Sequence, residues 1–191
     1  MFQGIDLTAT AGMSSEKNDN GRDMLGLALN AVRVVEYSPA WAEAFKQERE
    51  LLHNTVGSAG IAIEHVGSTS VPGLSAKPVL DIALGLPASA DTDSVARKLT
   101  QIGYEDRGEN GIPGRRFMRR GRPTLVHLHI VAYGGELWQN HLLFRDRLRT
   151  SNVLRDRYAA LKTERAARFP DDRESYTRSK HEFIQSVLLA E

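Results

Sequence analysis

The chain has 191 residues, 41% of them hydrophobic, which suffices for one domain with a well-buried core and falls short of two. Lysine plus arginine number 25 against 24 aspartate plus glutamate, so the global charge argues for neither nucleic acid nor a membrane surface. Cysteine is absent, which excludes a disulfide framework and any thiolate metal site, leaving oxygen and imidazole as the only metal donors. No apolar run is long enough to span a bilayer, and the first residues lack the pattern of a secretory signal, so cytoplasmic residence is expected.

Residues 1–30 have neither helical nor strand periodicity and include the solvated run SSEKNDNGRD; they read as a disordered extension, with Met13 and Met24 as alternative starts. Ser38 and Pro39 open a helix, capped by the serine, in which Trp41, Phe45, Glu48 and Leu52 fall at helical spacing up to about Thr55; the aromatic pair reads as core. After Gly57-Ser58-Ala59-Gly60, residues 61–66 form a strand that delivers the chain to Gly67-Ser68-Thr69-Ser70. This small-residue turn offers three hydroxyls and closely approachable backbone amides, which suit a phosphate, although the same residues also make an ordinary loop.

In the next strand, alternation places Pro78, Leu80, Ile82, Leu84 and Leu86 on one face and Lys77, Val79, Asp81, Ala83 and Gly85 on the other. Asp81 therefore points away from the apolar face and needs a hydrogen-bond partner, a cation or solvent. A helix capped by Asp93 or Ser94 follows, ended by Gly103. Beyond a glycine-rich loop, residues 115–120 form a strand and Gly121-Arg122-Pro123 a turn; the charges of Arg115, Arg116, Arg119, Arg120 and Arg122 would bind phosphate or nucleic acid, or guard a sheet edge. Residues 124–133 form the second core strand, with Val126, Leu128 and Ile130 on one face and His127 and His129 on the other.

The remainder reads as three helices, the last starting at a capping box of Asp171 and Glu174 after Pro170. Lys180 falls inside its apolar stripe, where a lysine either reaches for water or meets an anion; Arg145 and Lys162 read as surface or packing residues. If the Asp81 and His127 strands are neighbours, Asp81, His127 and His129 converge beneath the Gly67 turn. One carboxylate and two imidazoles could then hold a divalent metal, or the histidines are polar side chains bonded to neighbours.

The segments YSPAW (37–41), HVGSTSVPGLSAKPVLDI (65–82), VHLHIV (126–131), HLLFRDRLR (141–149), YAALK (158–162) and RFPDDRESYTRSKHEFI (168–184) together resemble the GrpB family, from Val34 nearly to the C-terminus. The resemblance implies an α/β (α+β) protein of the nucleotidyltransferase superfamily, a small mixed sheet flanked by helices with a C-terminal helical segment, in one domain over residues 31–191. That superfamily's hallmark is Gly-Ser followed by a strand with two acids one residue apart, which bind Mg²⁺ and a nucleoside triphosphate. Gly67-Ser68 and Asp81 match its first elements, whereas Ala83 stands at the second acid and His127 or His129 at a third.

The reading that follows is a protein binding a nucleotide or phosphorylated small molecule, with Mg²⁺-dependent nucleotidyl transfer to an acceptor as the implied activity. Asp81, His127 and His129 would be catalytic, with Asp81 and His129 holding the metal. Gly67, Ser68, Thr69, Ser70, Lys77, Arg116 and Lys180 would surround the ligand. The rival is a non-catalytic ligand-binding or folding-accessory module with a protein partner, in keeping with a similar domain fused to dephospho-CoA kinase in some bacteria.

Overall fold

The computed structural model describes residues 25–27, 31–121 and 125–190. Along the chain run α1 (Ala40–Val56), β1 (Ala62–Val66), β2 (Leu80–Leu86), α2 (Thr92–Gln101), β3 (Tyr104–Asp106), β4 (Arg116–Arg120), β5 (Val126–Ala132), α3 (Glu136–Thr150), α4 (Asn152–Arg168), α5 (Arg173–Arg178) and α6 (His181–Leu189). The strands form one mixed sheet in the order β1-β2-β5-β4-β3, parallel only between β2 and β5. Helices cover both faces, as the α+β expectation requires.

The two faces differ in chemistry because the strands alternate. Leu80, Ile82, Leu84 and Leu86 join Leu128, Ile130 and Met118 on one face, and Trp41, Leu52 and Val56 of α1 with Val95 and Leu99 of α2 close over them. At about 25 cal/mol for each Å² of apolar surface removed from water, this layer is the main source of stability. The other face carries Asp81, Ala83, His127 and His129, and is covered by α3 and the C-terminal helices through Trp138, Leu148 and Tyr158.

Several local expectations are corrected. The cap of α2 is Asp91, whose carboxylate accepts from Ser94 N at 2.9 Å, rather than Asp93 or Ser94. Asp172, not Asp171, caps α5, accepting from Ser175 N at 3.0 Å. The single last helix is two, broken at Ser179 and Lys180, because α5 ends after six residues. Strand β4 is interior, since β3 lies outside it; its arginines therefore make cross-strand ion pairs instead of guarding an edge. Of the stretch expected as an extension, residues 25–27 touch the fold: Gly26 N donates to Pro78 O at 2.7 Å, and Leu27 is buried. Residues 1–24 and 28–30, and Arg122 at the end of the arginine run, lie outside the described residues.

Candidate functional site

The parallel pairing of β2 with β5 sets Asp81 beside His127 in register and Ala83 beside His129. Neighbouring residues of a parallel pair point to the same side, so one carboxylate and two imidazoles meet on the non-core face. Asp81 Oδ1 lies 3.0 Å from His127 Nδ1 and 3.4 Å from His129 Nε2. The convergence expected from period-2 alternation is therefore present.

The far nitrogens of both rings meet arginines. Arg173 Nη2 donates to His127 Nε2 at 2.6 Å, and Arg115 Nη1 lies 3.4 Å from His129 Nδ1. Guanidinium nitrogens only donate, so the ring nitrogen facing each arginine carries the lone pair and the nitrogen facing Asp81 carries the proton. The result is a hydrogen-bonded row, Arg173 to His127 to Asp81 and Arg115 to His129 to Asp81, ending on one carboxylate oxygen. Burial raises the Asp81 carboxyl, but the hydrogen bonds from His127 and His129 outweigh it and hold the group well below the usual carboxylate range. Burial lowers His127 more than Asp81 raises it, so its ring is neutral.

Gly67 forms the lip of the site. Its φ is +64°, and a Cβ added there would lie 2.6 Å from Asp81 Oδ2, so the turn approaches the acid because no side chain intervenes. Ser68 bonds with the Tyr158 hydroxyl. The other two hydroxyls of the turn serve the fold: buried Thr69 contacts His65 Nε2 at 3.0 Å, and Ser70 donates to Gly67 O at 2.6 Å.

Three lysines stand over the Tyr158 and Tyr176 rings on this side of the sheet. Lys180, at the break between α5 and α6, holds Nζ 4.1 Å from the centre of the Tyr176 ring, and Lys77 Nζ lies 5.1 Å from the same ring. Burial, the charge of Lys77 and that of Arg173 push Lys180 down to about 7 against the pull of Asp81, and burial with Arg173 pushes Lys77 to about 8. Lys162 is buried, donates to Ser75 O, and lies 4.8 Å from the centre of the Tyr158 ring. Burial and Lys180 hold its ammonium well below the usual lysine range.

Lys77 and Lys180 thus stand where the sequence reading put them. Arg116 does not: its register partner is Ile130, so it points to the opposite, apolar face and pairs with Asp93 and Asp106. Arg115, one residue earlier, is the arginine of that run that meets His129. Arg173, Lys162, Tyr158 and Tyr176 were missed. For the two lysines a signal existed, a tyrosine four residues before each in YAALK and YTRSK, the spacing at which ring and ammonium meet on a helix.

Residues 31–189 match the family described as GrpB protein. The chain belongs to the GrpB family. It is 36% identical over 157 residues to the UPF0157 protein YqkA of Bacillus subtilis, covering 82% of this chain but 46% of that one. Against the glutamate-rich protein GrpB of Alkalihalophilus pseudofirmus, identity is 32% over 171 residues, and the match covers 86% of this chain and 98% of that protein. The crystal structure of GrpB from Enterococcus faecalis superposes with a TM-score of 0.75 at 35% identity, covering 81% of this chain and 94% of that one. The chain is also 27% identical, over 84% of its length, to 46% of the dephospho-CoA kinase of Mycolicibacterium paratuberculosis. The Cid1 poly(U) polymerase with MgGTP bound gives a TM-score of 0.42 at 13% identity. Among the described residues of this GrpB-family chain, no helix is long and apolar enough to cross a membrane.

Proposed function

We propose that the protein binds a nucleotide or another phosphorylated small molecule between the Gly67-Ser68 turn, the Asp81 strand and the break between α5 and α6. The observation that carries this reading is the gathering of Lys77 and Lys180 against the one ring of Tyr176, beside the Arg173 that reaches His127. Burial of the two lysines favours loss of their protons, and an anion placed between them would restore and hold the positive charge. Ser68 would orient the phosphates, and the edges of Tyr158 and Tyr176 would flank the rest of the ligand.

The Mg²⁺ implied by the family resemblance fits these side chains poorly. Transfer chemistry with metal ions needs several carboxylates; the register sets His129 and Glu64 on either side of Ala83, and Glu64 is held by Arg145, which leaves Asp81 as the acid bonded to both histidines. Among the described residues, no group of three or more histidine, aspartate or glutamate side chains is arranged to hold a metal ion. The proposal is therefore ligand binding. A folding-accessory role is the second reading, favoured by Ala83 and by the similarity to part of a dephospho-CoA kinase.

Calorimetric titration with ATP, ADP and AMP at pH 7, with and without Mg²⁺, tests the reading. At least one should bind, and Lys77→Met with Lys180→Met should weaken it about ten-fold or more, the loss of one charge-assisted contact. Absence of binding by all three in both conditions, or binding indifferent to both substitutions, would overturn it.

A further inference from the structure

We propose that this pocket takes its ligand as a bare polyphosphate, with no divalent cation between ligand and protein, and that Asp81 is a positioning residue rather than a metal ligand. The inference rests on the ligand-binding reading above and goes further, naming the charge and the state of the ligand.

The first ground is the direction of the hydrogen bonds. A metal ion needs lone pairs, and both imidazoles have committed theirs: His127 Nε2 accepts from Arg173, and His129 Nδ1 faces Arg115. The nitrogens nearest Asp81 carry protons, and these two N–H groups converge on Oδ1. A cation placed among them would meet hydrogens where ligands are required. What Asp81 does instead is fix both rings in one tautomer, and through them the guanidinium groups of Arg173 and Arg115.

The second ground is charge. Lys77, Lys180, Arg115 and Arg173 each feel Asp81, while Lys162 is spent on Ser75 O. A divalent cation would add to an excess that is already positive, whereas several phosphate groups would neutralise it. Orthophosphate carries about two negative charges near neutral pH, fewer than the excess of about three that four cations leave over Asp81. A chain of two or three phosphates matches the excess and is long enough to lie between Lys77 and Lys180, which share the Tyr176 ring.

A polyanion should also restore protons to the lysines. Lys180 is faced by Lys77, Lys162, Arg173, Asp81 and the Tyr176 ring, and it titrates near 7 in the free protein, with Lys77 near 8. Binding near pH 8 should therefore take up protons, visible as a dependence of the calorimetric heat on the ionisation enthalpy of the buffer.

Inorganic tripolyphosphate and orthophosphate are the probes, titrated into the full chain in EDTA and again in excess Mg²⁺, for the parent protein and for Asp81→Asn, Asp81→Ala and Lys180→Met. Thermal melting of each variant confirms that it is folded. Expected is binding of tripolyphosphate in EDTA, at least about ten-fold tighter than orthophosphate, weakened by Mg²⁺ and by Lys180→Met. Asp81→Asn, which removes a negative charge but keeps an oxygen acceptor, should bind as tightly as the parent or more so. Asp81→Ala, which releases the rings, should lose affinity.

Binding that requires Mg²⁺ and disappears in Asp81→Asn would overturn the inference while leaving the ligand-binding reading in place. Equal affinity for orthophosphate and tripolyphosphate would remove the polyphosphate assignment. Failure of both probes and of every nucleotide would sink both proposals together.

Discussion

Gly67 and Asp81 show how closely single residues are matched here. The glycine has φ of +64°, and even a methyl group there would sit 2.6 Å from Asp81 Oδ2 and 2.8 Å from its Cβ. Gly67→Ala therefore meets two penalties, a left-handed backbone and a collision, and should cost roughly 2 kcal/mol or more in chemical denaturation. Asp81→Gly in the same chain should return part of that loss, because it removes the colliding atoms; strictly additive effects would refute the contact as its cause. Residue-level resolution is also where sequence reading was weakest. Arg115 and Arg116 are adjacent and chemically identical, and only the register of Arg116 against Ile130 decides which of them faces the histidines.

Among elements, the strands were legible and the helical corner was not. Period-2 alternation in residues 77–86 and 124–133 assigned Asp81, His127 and His129 to one side without knowledge of the fold, because a strand has just two faces. A helix offers many directions, and α4 to α6 acquire theirs only from docking against the sheet, so Arg173, with no tyrosine four residues before it, could not be placed from spacing alone. A second lock lies on the opposite face of the sheet. Glu48 of α1 is 6% exposed, accepts from the Tyr104 hydroxyl at 2.5 Å and pairs with Arg120 of β4. Arg120→Met would strand a buried carboxylate and should destabilise by about 3 kcal/mol. Adding Glu48→Gln should cost less than the sum of the two single changes, as urea denaturation of the four proteins would show.

For the whole molecule, acid should unfold the protein through its buried histidines. Burial pushes His65 down to about 4 and His141 to about 3, from an ordinary 6.5. Between those values the unfolded chain holds protons that the fold refuses, so this stability is complete above pH 6.5 and drains away as pH falls toward 4. For His65, 7% exposed, the shift corresponds to about 3 kcal/mol at most. Thermal midpoints should fall between pH 7 and pH 4.5, and fall less in His65→Gln; a parallel decline in the two proteins would refute the assignment. Lys180 and Lys77 carry the same sign into the alkaline range, since the unfolded chain keeps their protons to about pH 10 while the fold releases them from about 7 and 8.

The overall architecture was readable because one face of each central strand is apolar and the other is not. The coupling between distant parts of the chain was not readable. Val32 N donates to Pro170 O at 2.8 Å, and Gly26 N to Pro78 O at 2.7 Å, so early residues hold both the loop before α5 and the entry to β2.

The break at Ser179 and Lys180 makes the pocket a composite object. Its residues come from the Gly67 turn and β2, from Arg115 and β5, and from α4 to the turn after α5. Without α5 and the turn after it, His127 would lose the guanidinium of Arg173, and the Tyr176 ring with its Lys180 would no longer stand over this side of the sheet. If the proposed site holds an anion, substitutions in α5 and the turn after it should weaken binding while leaving Asp81 between its two histidines.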